Sequence, residues 1–217
     1  MNEITGQVFS VAKENRPVAG CTISKEVFSN GEDYILYFSL AKDTDISAEI
    51  YDYQKLIIVA DGNMEVYTNK DVWKLNSSDC ILTPASIPVG MRTNTKAVYT
   101  EVSIRRSNMN NAVNPGEVFK LADLLPPYQD GKIVNMDIAH NDKMKFVVMS
   151  FDEGTGLAEH AAPGDALIFA LEGQGIIGYE GSEHKIKAGE NFRFAKNGKH
   201  YVKADGRFKM ALLITLE

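Results

Sequence analysis

The sequence predicts an all-β protein built from two copies of one unit. Three observations predict it. The chain aligns with itself at a nearly constant shift, its apolar residues fall in short runs rich in Val, Ile, Phe and Tyr, and Gly, Asn or Asp bound those runs. Evenly spaced short strands of this kind close into a sandwich or a small barrel.

The repeat opens with GQVFSVA (Gly6 to Ala12), which falls on GEVFKLA (Gly116 to Ala122) at a shift of 110. Pro17 meets Pro127. The shift then becomes 111, and Ser39, Thr44, Leu56, Ile57, Gly62 and Lys74 meet Ser150, Thr155, Leu167, Ile168, Gly173 and Lys185 without a further gap. The Asn-rich stretch SNMNNAVNPG, Ser107 to Gly116, is a cluster of turn formers between the copies. The expected domains are therefore 1–106, a linker at 107–115, and 116–217.

In the first copy YILYFSL, KLIIVA and VYTEVSI read as strands. In the second, MKFVVMSF, DALIFALEG, HKIKAGENFRF and FKMALLITL answer them. LADLLPPYQ can start a helix, which the Pro126-Pro127 pair stops early.

Composition excludes several classes. With 23 Lys+Arg against 29 Asp+Glu, the net charge of −6 disfavours nucleic acid as a partner. No apolar run approaches the ~18 residues of a membrane span. MNEITGQVFS has neither a basic start nor an apolar stretch of signal-peptide type, and Cys21 and Cys80 make no disulfide framework. The cytoplasm is the expected compartment. No G-x-S-x-G elbow, phosphate loop or dinucleotide fingerprint is present. The glycines of LEGQGIIGYEG fall on a hairpin, and Cys80 falls in a strand.

The second copy carries residues that resemble the cupin superfamily. Gly154, His160 and Gly173 reproduce the frame of its first motif, G(x)5HxH(x)3–4E(x)6G. Gly189 and His200 keep the spacing of its second, G(x)5PxG(x)2H(x)3N. The stretch around EHAAPGDAL is similar to small one-domain cupins of uncharacterised function. This resemblance implies two tandem antiparallel jelly-roll β-barrels, a bicupin resembling a fused dimer. The chain is accordingly expected as a pseudo-dimeric monomer or a homodimer.

A metal-binding cupin supplies three His and one Glu. Carried over residue by residue, these positions are His160, Ala162, Ala166 and His200, so two of four ligands remain. The second motif's Pro, Gly and Asn fall on Ala195, Asn197 and Ala204. One divalent transition metal (Zn, Fe, Mn or Ni) on His160 and His200 is the cofactor this implies, although catalytic sites usually present three protein ligands. Asp165 is a candidate third ligand, but its parity opposes that of 160, 162 and 166 along a pleated strand. His140 and His184 have no motif position, and His184 is expected at a solvated hairpin tip.

In the first copy the four positions become Glu49, Tyr51, Lys55 and Val89, and no His precedes His140. That copy reads as a structural partner, with Glu49 and Lys55 on a solvated rim.

The same parity predicts the cavity of the second barrel. Ala162, Ala166, Ile168 and Ala170 should point inward with His160, and Val202 with His200. If Lys209 faces solvent, Phe208, Met210 and Leu212 face inward. The expectation is a small-ligand pocket with His160, His200, Ala162, Ala166, Ile168 and Met210 as contacts. The favoured function is binding of a small organic molecule. The alternatives are a metal-dependent dioxygenase, isomerase or decarboxylase working at the two histidines, and a structural bicupin without a site.

Overall fold

The structure is a computed structural model that describes residues 1–31, 33–105 and 108–216. It is all-β apart from one helical turn, α1 (Val11–Glu14), and a 3-10 turn at Leu121–Leu124. The latter is as far as LADLLPPYQ gets before its prolines remove the next backbone donors.

The strands of the first half are β1 (Val8–Phe9), β2 (Thr22–Ser29), β3 (Tyr34–Leu40), β4 (Thr44–Ile50), β5 (Gln54–Tyr67), β6 (Val72–Asn76), β7 (Cys80–Leu82), β8 (Pro88–Thr93) and β9 (Ala97–Ile104). Two short strands follow, β10 (Asn108–Met109) and β11 (Val118–Phe119). The second half holds β12 (Ile133–His140), β13 (Met144–Phe151), β14 (Gly156–Ala161), β15 (Asp165–Tyr179), β16 (Ser182–Lys187), β17 (Asn191–Phe194) and β18 (Lys199–Thr215).

The chain divides into two compact units. In the first, the sheet order is β11-β7-β5-β9-β3-β2, and β5 also pairs with β6 and with β8, which pairs with β4. In the second the order is β1-β17-β15-β18-β13-β12-β10, with β14 on β18 and β16 on β15. All ladders between these strands are antiparallel.

The repeat holds at the level of register. Glu49 faces Val89 as His160 faces His200, and Lys55 faces Ser103 as Ala166 faces Ile214. Both copies bulge at the same place, between Ile46 and Glu49 and between Leu157 and His160. The matched glycines also have a cause. Gly62 has φ 83° and Gly173 has φ 67°, and a Cβ would lie 2.1 Å from the Lys96 carbonyl oxygen in one and 1.9 Å from that of Arg207 in the other. Only glycine fits beside the register shift of each long strand.

The units are not two uninterrupted stretches. Glu3–Ser10 belongs to the second unit and Asn111–Lys120 to the first. The opening strand of each repeat thus completes the unit made mainly from the other: Val8 pairs with Phe192, and Val118 with Ile81. These are equivalent edges, which a two-residue strand covers. The expected boundary at Arg106 and Ser107 lies outside the described residues.

Each unit has its own core. Ile57, Val59, Met64, Leu75, Met91 and Tyr99 are among the residues that fill the first. Phe151, Phe192, Phe194, Phe208, Met210 and Ile168 are among those that fill the second. The expected inward facing of Phe208 and Met210 holds, with Leu212 packed against them. Lys209, however, is buried on the opposite face, where Nζ donates to the Ala122 carbonyl at 2.9 Å and sits 3.1 Å from Glu172. The 3-10 turn covers a face that parity alone assigned to water. Among the described residues no helix is long and apolar enough to cross a membrane.

Candidate functional site

The β14–β18 ladder brings His160 and His200 together as direct cross-strand partners. Their ring centroids are 4.2 Å apart at an interplanar angle of 53°. His160, expected to point inward, is instead exposed, whereas His200 is 4% exposed and stacks on Phe194 at 3.9 Å. The pair has a buried member on an aromatic floor and an open member at the surface.

Backbone carbonyls orient both rings. His160 Nδ1 lies 2.9 Å from the Ala158 oxygen, and His200 Nδ1 lies 3.0 Å from the Gly198 oxygen. A carbonyl only accepts, so each Nδ1 carries the proton and a neutral ring keeps its Nε2 lone pair. Burial lowers the His200 pKa; the bond to Gly198 opposes this, and the neighbouring His160 adds to the lowering. His200 is therefore held as a neutral imidazole and an acceptor.

The other expected contacts, Ala162, Ala166, Ile168 and Met210, are all buried members of the apolar cluster beneath the pair. Parity placed them on the correct face. They share that cluster with phenylalanines from β13, β17 and β18.

The donor set is too small for a self-sufficient metal centre. Among the described residues no three of His, Cys, Asp and Glu converge. Asp165, the candidate third ligand, is engaged elsewhere: Arg193 Nη2 donates to it at 2.6 Å and the Lys196 N–H at 3.0 Å. His184 is not a solvated tip. It lies within β16, half-buried, with its ring 5.1 Å from Phe192.

The first unit holds a constellation that the sequence reading missed. Lys55, expected on a solvated rim, is 8% exposed, and Glu101 is 2% exposed. Lys55 Nζ sits 3.2 Å from Glu101 Oε1 and 3.6 Å from the centre of the Tyr51 ring. Tyr34 donates to the same carboxylate oxygen at 2.9 Å and is 3.2 Å from the Tyr53 hydroxyl, which must then donate to Tyr34. The Arg105 guanidinium lies 3.8 Å over the Tyr53 ring. Glu49 is exposed as expected, and the Tyr51 hydroxyl donates to it. Burial first, and then the Glu101 charge, push the Tyr34 phenol far above the ordinary tyrosine range, so it is a permanent donor. Two signals could have revealed this group. Glu49, Tyr51, Tyr53 and Lys55 alternate into the inward Ile57 and Val59, and Glu101 is a lone acid in an otherwise uncharged strand.

A separate polar cleft of about 330 Å³ lies over β5, β6 and β8. Its Arg92 is tied to Glu65 at 2.8 Å, and its remaining polar lining is mostly exposed side chains on the outer sheet face.

Residues 147–216 match the family model described as Cupin domain. The whole chain is similar to the cupin 2 conserved barrel domain protein from Leptotrichia buccalis, at 25% identity and a TM-score of 0.87, covering 99% of this chain and 98% of that one. It also resembles the salicylate 1,2-dioxygenase from Pseudoaminobacter salicylatoxidans solved with gentisate, at 12% identity and a TM-score of 0.66, covering 96% and 80%. AerE from Microcystis aeruginosa aligns at 14% identity and a TM-score of 0.54, covering 90% and 98%. At such identities the last two speak for the fold alone. No curated protein matches the chain.

Proposed function

We propose that this two-barrel protein of the cupin superfamily binds a small organic ligand over the histidine pair of its C-terminal unit. The observation that carries the reading is the direct pairing of His160 with His200, each with Nδ1 tied to a carbonyl and Nε2 left as an acceptor. Such acceptors call for O–H or N–H donors on the ligand. The Phe194–His200 stack favours a flat one. Hydroxylated aromatic acids combine the two features and are the first probes to use. Gentisate, named for one of the structural relatives, belongs to this class.

The alternative is a metal-dependent enzyme. The Nδ1-to-carbonyl tether favours it, because metal-ligating histidines are oriented in this way. The count of two protein donors weighs against it.

One experiment separates the two readings. Purified protein and the variant His160→Ala are compared by elemental analysis and by thermal melts against hydroxybenzoates, catechol and small sugars. The expected result is substoichiometric metal and a saturable rise in melting temperature that the variant lacks. A ligand at 100 times its Kd stabilises by about 2.7 kcal/mol, which a melt detects easily. Stoichiometric transition metal, lost in His160→Ala, would replace this reading by the enzymatic one. If no compound raises the melting temperature, or the rise survives in His160→Ala, the ligand site is not at the histidine pair.

A further inference from the structure

In the first unit, Glu49 and Val89 stand where the second has the histidine pair, and the neighbouring positions hold charge and aromatic rings. The register equivalence Glu49–Val89 to His160–His200 places Lys55 where the second unit has Ala166, and Glu101 where it has Leu212. Lysine and glutamate are therefore both present in one copy and both absent from the other.

We infer that this end of the N-terminal unit is a binding site for a primary ammonium group, and that its occupant is the chain's own Lys55. The carboxylate that receives it is almost completely buried, and one face of the ammonium rests on the Tyr51 ring. Tyr34 and Tyr53 fix the carboxylate by a relay of hydroxyls, and Arg105 packs on the last ring of that relay. A buried acid without a cation carries a heavy desolvation cost, so the Glu101 site demands a positive charge. A tethered ammonium supplies that charge at no loss of translational freedom.

The space left over agrees with a filled site. The recess lined by Glu49, Tyr51, Tyr53, Lys55 and Thr83 has room for about one water molecule. A metal ion does not fit the same place, because it would meet the Lys55 charge at short range with Glu101 already neutralised. The inference is independent of the ligand proposed for the second unit.

The test uses the full chain. Lys55→Ala empties the site while leaving Glu101 in place, and the melt is followed by the fluorescence of the single tryptophan, Trp73, which packs on the core of the first unit. The melting temperature of that unit should fall by roughly 10 °C. Butylammonium chloride should restore at least half of the loss in a saturable manner, with sodium chloride at equal ionic strength restoring none and the parent protein unaffected. In Lys55→Met/Glu101→Leu, which removes both charges, stability should return without amine and the amine response should vanish. The inference is overturned if Lys55→Ala melts with the parent, or if the amine raises parent and variant equally. Should Lys55→Ala not fold, Lys55→Met alone is compared with the double variant; a single variant as stable as the double one also overturns it.

Discussion

Neutral His200 makes the second unit sensitive to acid below pH 6.5. In the folded chain burial holds its pKa below the ordinary value of 6.5, with Gly198 opposing and His160 reinforcing the shift. The sign follows from proton counting. Between the depressed folded value and the ordinary unfolded one, the unfolded chain takes up a proton that the folded chain refuses. Stability from this source is fully present above pH 6.5 and is lost as the pH falls through the folded pKa. One proton limits the slope to about 1.4 kcal/mol per pH unit. Double protonation is resisted further: two unit charges at the 4.2 Å ring separation repel by about 4 kcal/mol at an effective dielectric of 20, or about 1 kcal/mol in bulk water. The exposure of His160 puts the pair toward the lower figure. The assay is an NMR titration of the four histidine ring protons, with His160→Gln and His200→Gln giving the assignment, alongside urea melts from pH 7.5 to 4.5. His200 should titrate below 6.5, His160→Gln should move it upward, and His200→Gln should flatten the acid limb of the stability profile. A His200 resonance that titrates at or above 6.5 in the folded protein would refute the reasoning, as would an unchanged acid limb in His200→Gln.

Three further outcomes are expected. Gly62→Ala and Gly173→Ala should each cost more than about 2 kcal/mol in urea melts, because both a left-handed φ and a carbonyl within 2.1 Å oppose the new Cβ; Gly206→Ala, with φ 83° and open space, should cost less than either. Deleting residues 1–10 should destabilise the second unit, seen as faster amide exchange at Phe192 and Asn191, since Val8 and Phe9 cover that edge; unchanged exchange there would argue against the strand assignment. Lys209→Met should lose about 1–3 kcal/mol by leaving the buried Ala122 carbonyl without its donor, and a neutral result in the melt would mean that the carbonyl finds another.

Much is legible in the sequence. The self-alignment implied two copies, and the structure repeats that correspondence pair by pair in its ladders. The resemblance to the cupin motifs implies that His160 and His200 lie close together although forty residues separate them, and the ladder pairs them directly. Strand parity picked the apolar side of Ala162, Ala166, Ile168 and Met210 correctly. These are properties of order along the chain: a period of two, a fixed shift and, for the histidines, a spacing that resembles the cupin motifs.

Depth and partnership obey no such period. That Ala162, Ala166 and Ile168 share one buried cluster with Phe151, Phe192, Phe194 and Phe208 was decided by strands distant in the chain. Lys55 and Lys209 look like ordinary surface lysines in sequence, yet each is buried because an acid or carbonyl from a distant segment receives its charge. The placement of the two opening strands, each in the unit its repeat does not dominate, likewise belongs to the assembled sheets. Local sequence dictates which way a side chain points; what it meets there depends on strands that only the assembled sheets bring alongside.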